Sequence, residues 1–195
     1  MPPYYALRRP RVLADLIPGS LVRDIALVFC AAGFVGALAQ ISIPHQPVPI
    51  TGQTLGVLLA GCSLGWKRGT ASMVVYFLLG YAGVPWFVHG TSGWQGVSTG
   101  YLFGFVLAGA VCGFLSERGA DRSVLRSVPL MLVGELCIYV CGVPWLAVAA
   151  HQDLSWAIQQ GFTPFILGDS IKLAGAAALL PGAWWLAGDR ARGLR

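Results

Sequence analysis

Apolar residues in this chain come in blocks long enough to cross a bilayer, and no other feature restricts its fold as much. A hydrocarbon core of about 30 Å needs about 20 helical residues per crossing. Such blocks run over residues 25–43, 53–66, 70–88, 100–115, 128–150 and 162–187. Hydrophobic residues make up 56% of the 195 and charged residues 11%, against about a quarter charged in an average soluble domain. The expected fold is an all-α integral membrane protein, a bundle of six transmembrane helices.

The second block, 53–66, is short enough to be re-entrant, and charge placement decides how to read it. Lys and Arg gather in cytoplasmic loops. Here they stand at Arg8, Arg9, Arg11 and Arg23, at Lys67 and Arg68, at Arg118, Arg122 and Arg126, and at Arg190, Arg192 and Arg195. Six crossings put all twelve on one side; five would divide them. The second block is therefore expected to be a short span, with both termini cytoplasmic. The organisation follows: a basic cytoplasmic segment over 1–24, a single membrane domain over 25–188, and a basic cytoplasmic tail over 189–195. The net charge of +5 is accounted for by this asymmetry, and nucleic acid is not an expected partner. Ala37-Leu38-Ala39 has the form of a signal-peptide cleavage site, but the preceding apolar run exceeds the usual 7 to 15 residues. An ordinary first span in a multi-pass cell membrane protein of a bacterial inner membrane is the expectation.

The outer connections, 44–52, 89–99 and 151–161, carry no Lys or Arg and many Gly, Pro, Gln, Ser and Thr residues. Pro85, Pro144, Pro164 and Gly168 fall near the outer ends of spans. Interrupted helix ends free backbone groups that a membrane tolerates only where protein or a cavity satisfies them. A pocket opening outward is expected, and Trp86 and Phe87, after Pro85, are candidate walls. Cys30, Cys112, Cys137 and Cys141 lie inside predicted spans, where free Cys serves as a small hydrophobe.

Three charged residues fall at membrane depth: Glu135 in the fifth block, Asp169 and Lys172 in the sixth. Each costs about 2.5 to 3.5 kcal/mol on insertion scales, so such residues mark function by default. Asp169 and Lys172, three apart, share a helix face. They either neutralise each other or hold a small ligand with both N–H donors and a carbonyl or carboxylate acceptor, seven to ten residues or about 10 to 15 Å below the outer helix end. Glu135, about seven residues from the inner end of its helix, is expected to be structural or a partner to another polar group rather than part of that site. His45, His89 and His151 lie in the outer loops without ligand spacing, and no metal site is assigned. Ala32-x-x-x-Gly36 and Gly33-x-x-x-Ala37 give the first span a small-residue face on which another helix can approach closely.

Pro47-Val48-Pro49-Ile50-Thr51-Gly52-Gln53-Thr54 and the apolar stretch to Gly61, Leu64-Gly65, Gly80-Tyr81-Ala82-Gly83-Val84-Pro85-Trp86-Phe87, Gly100-Tyr101-Leu102-Phe103-Gly104-Phe105 and Gly168-Asp169-x-x-Lys172 run in the order found in the BioY family. The chain resembles that family over about residues 24 to 187. The resemblance implies a six-helix S component of an energy-coupling-factor (ECF) transporter that captures biotin outside, coupled to a transmembrane T component and cytoplasmic ATPases. It implies ligand contacts at Asp169 and Lys172, with Tyr101, Gly100, Trp86, Phe87 and Gln53 around them, and partner contacts at Ala32, Gly33, Gly36 and Ala37. Two departures stand out: the chain contains no Asn, where an amide is expected in some relatives and Gln53 or Gln95 could substitute, and the stretch 89–99 is atypical.

No G-x-x-x-x-G-K-[ST] sequence is present, so no nucleotide or other cofactor is expected and active transport would need a partner. The alternatives are an S component or carrier for another vitamin or a divalent metal such as nickel or cobalt, or an intramembrane enzyme using Glu135, Asp169 or Cys137. The last lacks the oriented base and nucleophile that its chemistry requires.

Overall fold

The structure, a computed structural model, describes the backbone of residues 10–192 and the side chains of 10–188. The basic residues Arg8, Arg9, Arg190, Arg192 and Arg195 lie outside the described residues or side chains. The elements are α1 (Leu21–Ala39), a hairpin of β1 (Ser42–Ile43) and β2 (Ile50–Thr51), α2 (Gln53–Tyr81), α3 (Thr99–Ser116), α4 (Val124–Ala149), α5 (Leu154–Gly161) and α6 (Ile166–Arg192). Segments Leu21–Ala39, Gly96–Ser116, Val124–Ala149 and Leu154–Gly188 are helical, long and apolar enough to cross a membrane. The protein is a mostly helical, multi-pass membrane protein.

The second and third apolar blocks fall in α2 as two helical arms joined directly at Gly65, without the loop read from the sequence. The helical path of α2 breaks at Gly65, where φ is 81° and ψ is 174°, a combination that is essentially restricted to glycine. The chain reverses there. A Cβ built on Gly69 would lie 2.9 Å from the Gly61 Cα, whereas residues eight apart in a straight helix stand about 12 Å apart. Arms 53–64 and 66–81 therefore pack against each other, and Lys67 and Arg68 lie in the first turn of the second arm. Gly109 of α3 completes the contact, with a Cβ on Gly61 falling 3.1 Å from its Cα. Side chains are absent at all three positions because backbones occupy the space. The break frees the Trp66 N–H, which donates to the Glu117 carboxylate at 3.1 Å from the residue following α3.

Arg11, Arg23, Lys67 and Arg68 gather at one end of the bundle, whereas Lys172 stands apart in α6 beside Asp169. Arg68 reaches Asp15 at 2.6 Å and Asp24 at 3.0 Å, tying the segment before α1 to α2. Val12 and Ala14 are buried against Leu64. The stretch expected as a simple basic arm over 1–24 thus packs into the fold from residue 10, and α1 begins at Leu21 rather than at residue 25. Arg122 lies 4.2 Å over the Trp184 ring and donates to the Pro10 carbonyl at 2.7 Å. Trp184 donates to the buried Asp121 at 2.7 Å, and burial raises the Asp121 carboxyl above its usual value.

At the opposite end, 151–161 is not the loop read from the sequence. It holds α5, whose first turn is capped by Asp153 accepting from the Trp156 N–H at 2.7 Å. Pro85 lies beyond α2 rather than within a span.

The reversal at Gly65 makes a specific demand on sequence. Gly65→Ala is expected to cost at least about 1 to 3 kcal/mol from the forbidden backbone region alone, and its Cβ would also sit 2.6 Å from Glu117 Oε1. Gly33→Ala, at a position with no atom within 4 Å, should leave thermal unfolding in detergent unchanged or slightly raised. Equal melting of both variants would contradict a strained reversal.

Candidate functional site

The hairpin and the start of α2 form the polar edge of a buried cavity. Thr51 donates to Gln53 Oε1 at 2.9 Å and Gln53 Nε2 donates to the Tyr76 hydroxyl at 2.7 Å. Both polar groups are buried, and each partner holds the other in place. One residue on, Thr54 meets α6. Lys172 Nζ lies 2.8 Å from Asp169 Oδ1 and 3.1 Å from Thr54 Oγ1, and Thr54 donates to the same carboxylate oxygen at 3.4 Å. The Tyr139 hydroxyl of α4 donates to Asp169 Oδ2. Helices α2, α4 and α6 therefore converge on one carboxylate.

Around this network stands an aromatic and aliphatic wall. Tyr101 stacks on Phe165 at 6.5 Å between centroids and meets Tyr139 edge-on at 6.3 Å, and its hydroxyl is fixed by the Gly161 carbonyl at 2.8 Å. Val48, Pro49, Val88, Leu102, Phe105 and Ile138 extend the lining, with Thr51, Gln53, Thr54, Ser98 and Lys172 as polar members. A small ligand with an apolar body and a few hydrogen-bonding groups suits such a surface.

Asp169 lies in the first turn of α6, about 5 Å from the helix start by rise per residue, and not seven to ten residues along a span. The helix starts late because α5 and a turn at Thr163–Phe165 intervene. The pair is nevertheless deep. α4 continues for ten residues beyond Tyr139, or about 15 Å, so the first turn of α6 is recessed from the end of α4. A carboxylate there also faces the positive end of the helix dipole.

Of the residues expected around the ligand, Lys172, Tyr101 and Gln53 line the cavity, and Asp169 is tied to it through Lys172, Thr54 and Tyr139. Gly100, Trp86 and Phe87 do not line the cavity. A Cβ on Gly100 would run into Trp145 and stand 2.9 Å from the Cys141 carbonyl, so this glycine allows α3 and α4 to pack. Phe87 is buried against Tyr76, and Trp86 donates to the Tyr76 carbonyl at 3.0 Å; both support the wall from behind. Sequence reasoning missed Thr54, Tyr139 and Phe165. Tyr139 stood four residues after Glu135, on the same helix face, and could have been found from it. Glu135, expected apart from the site, lines a second cavity together with Tyr139 and Asp169. Among the described residues no group of three or more His, Cys, Asp and Glu is placed to hold a metal ion; the His45 ring packs edge-on to Phe165 and contacts the Val48 carbonyl at 3.2 Å.

The small-residue face of α1 divides. Ala32 and Gly36 are buried within the chain itself, with a Cβ on Gly36 meeting Trp86 Cβ at 3.0 Å. That half is internal packing, a correction to its reading as a partner contact. Gly33 and Ala37 are exposed. Gly36→Leu is therefore expected to lower the melting temperature of the purified protein by several degrees and Gly33→Leu to leave it nearly unchanged. Parallel loss in both would mean that the two faces are equally buried.

A family model described as the BioY family matches residues 9–189. "Biotin transporter BioY" of Thermotoga maritima is 41% identical over 155 residues, covering 78% of this chain and 89% of that relative. "Biotin transporter BioY2" of Lactococcus lactis is 35% identical over 152 residues, covering 76% and 83%. The crystal structure of an S-component for biotin from an ECF-type ABC transporter superposes with a TM-score of 0.74 at 25% identity, over 83% of this chain and 90% of that one.

Proposed function

The chain belongs to the BioY family, and we propose that it binds biotin in the cavity around Asp169 and Lys172 as the substrate-capture subunit of an ECF transporter. The observation that carries the binding reading is the Lys172 ammonium, which lines a cavity walled by Tyr101, Tyr139 and Phe165 and is paired at 2.8 Å with the buried Asp169 carboxylate of the adjoining cavity. Biotin's cyclic urea has two N–H donors and a carbonyl acceptor, and the rest of its bicyclic ring is apolar. Asp169 accepts from an N–H, Lys172 donates to the carbonyl, and the aromatic rings pack on the thiolane. The protein is a transporter subunit rather than an enzyme. No reacting bond is needed for this chemistry, and nucleotide hydrolysis falls to cytoplasmic ATPases acting through a T component. Gly33 and Ala37, exposed on α1, offer the small-residue surface on which a partner helix can approach.

In this reading the chain crosses the membrane six times, the two arms of α2 counting separately, with both termini cytoplasmic. The reversal at Gly65 supports it, because it places Lys67 and Arg68 beside Arg11 and Arg23, as the positive-inside rule requires. Lys67→Cys on a cysteine-free background should resist an impermeant thiol reagent in intact cells and react after permeabilisation. Rapid labelling in intact cells would overturn the orientation.

Removing one member of a buried ion pair leaves the other uncompensated, at about 3 to 5 kcal/mol, so loss of binding in Asp169→Ala alone says little. The comparison to make is Asp169→Asn, Lys172→Gln and the double variant, each of nearly native size. The double variant is expected to regain much of the stability that each single variant loses, and still to bind biotin at least about tenfold more weakly than wild type, about 1.4 kcal/mol. A stable double variant of wild-type affinity would remove both residues from the site.

A further inference from the structure

Glu135 is 6% exposed, and neither of its carboxyl oxygens has a hydrogen-bond partner. It stands at the floor of a cavity of about 260 Å³ between α4 and α6, whose walls include Leu132, Leu136, Phe162 and Ile166. Those side chains are well exposed on the bundle surface, so the cavity opens sideways toward lipid. Hydrocarbon cannot satisfy a carboxyl, and a buried polar group without a partner is costly. An apolar residue would serve the packing better.

The main cavity measures about 50 Å³, whereas small-molecule sites generally offer about 300 to 1,000 Å³. Together with the lateral cavity it comes to the low end of that range. Tyr139 lines both, and its hydroxyl is held by Asp169, so this one side chain is the partition. Donor and acceptor capacity points the same way. An ionised carboxylate offers about four acceptor positions and an ammonium three donors. Asp169 already accepts from Lys172, Thr54 and Tyr139, and Lys172 already donates to Asp169 and Thr54. What is left is one acceptor position and one N–H. A cyclic urea brings one carbonyl and two N–H groups, and in the lateral cavity beside Asp169 the Glu135 carboxyl is the acceptor that no protein group occupies.

We infer that the lateral cavity is the second chamber of the ligand site, opened by rotation of Tyr139, and that the Glu135 carboxyl accepts the second N–H of a cyclic urea. The inference rests on the biotin reading above. It explains why a carboxyl is kept at that depth without a partner: the ligand is the partner. It also makes Glu135 a specificity residue, since an unpaired buried acceptor penalises any ligand that lacks the matching donor.

The test uses the full chain in detergent or nanodiscs, with biotin and the two analogues methylated at one or the other ureido nitrogen, against wild type, Glu135→Leu and Glu135→Met. In wild type both analogues should bind more weakly than biotin. In the apolar variants biotin should lose at least about tenfold, and for one of the two nitrogens the methylation penalty should vanish, because the acceptor it was lost from is gone. Without ligand the variants should melt at or above the wild-type temperature, since a desolvated carboxyl has been removed. Wild-type biotin affinity in the variants, or unchanged penalties at both nitrogens, would overturn the inference while leaving the biotin reading intact. Failure of both apolar variants to fold would also overturn it, by showing that the carboxyl holds the bundle together. Absence of biotin binding by wild type would overturn the functional reading and this inference with it.

Discussion

A carboxylate inside a bilayer must be met by opposing charge and hydrogen-bond donors, and Asp169 is met from three helices. Lys172 neutralises it, Thr54 donates to the same oxygen, and Tyr139 donates to the other. The donors come from α6, α2 and α4, so the polar centre fixes the relative position of helices that are otherwise joined by apolar contacts. In hydrocarbon, apolar side chains gain little by meeting one another instead of lipid. A hydrogen-bonded centre is then what gives the bundle a definite arrangement, and the aromatic wall of Tyr101 and Phe165 is placed by it.

The frame that brings α2 to this centre is made of small residues. Gly61, Gly69 and Gly109 bring three helical segments into backbone contact, the way membrane helices obtain dispersion energy without a hydrophobic driving force. The strained backbone at Gly65 is tolerated because the freed Trp66 N–H finds Glu117 and because the Arg68, Asp15 and Asp24 network closes over the same end. Reversal within two residues keeps the first arm short. Its N-terminal residues Gln53 and Thr54 consequently stand level with the first turn of α6, which is what puts them at the cavity.

Much of this was legible in the sequence. Apolar blocks located the helices, the basic residues of α2 marked its reversal, and insertion cost singled out Asp169, Lys172 and Glu135. The Pro47 to Thr54 stretch pointed to the family and supplied Gln53. What could not be read were relations between elements. Gly100, Trp86 and Phe87 sit in a recognisable motif, yet their work is to pack α3 on α4 and to back Tyr76, and a motif does not say which side of a wall its residues occupy. Ala32 and Gly33 are neighbours with the same small-residue spacing, but a helix turns 100° per residue, so one is buried and the other open. Glu135 was misplaced for a similar reason, because counting residues from a helix end assumes that all helices begin at the same level.

They do not, and that offset is what the site is built on. If α6 ran the full thickness beside α4, Asp169 in its first turn would lie at the water interface, where a carboxylate needs no partner and binds no ligand selectively. The α5 segment and the turn at Thr163–Phe165 take up the outer part of the path instead. They lower the start of α6 to the level of Tyr139, about 15 Å below the end of α4. A helix N-terminus, with its free N–H groups and positive dipole end, is thereby brought to the depth of the buried acids, and Phe165 at its mouth becomes part of the wall. One recessed helix start thus accounts for the depth of the ion pair and the closeness of Glu135 to Asp169.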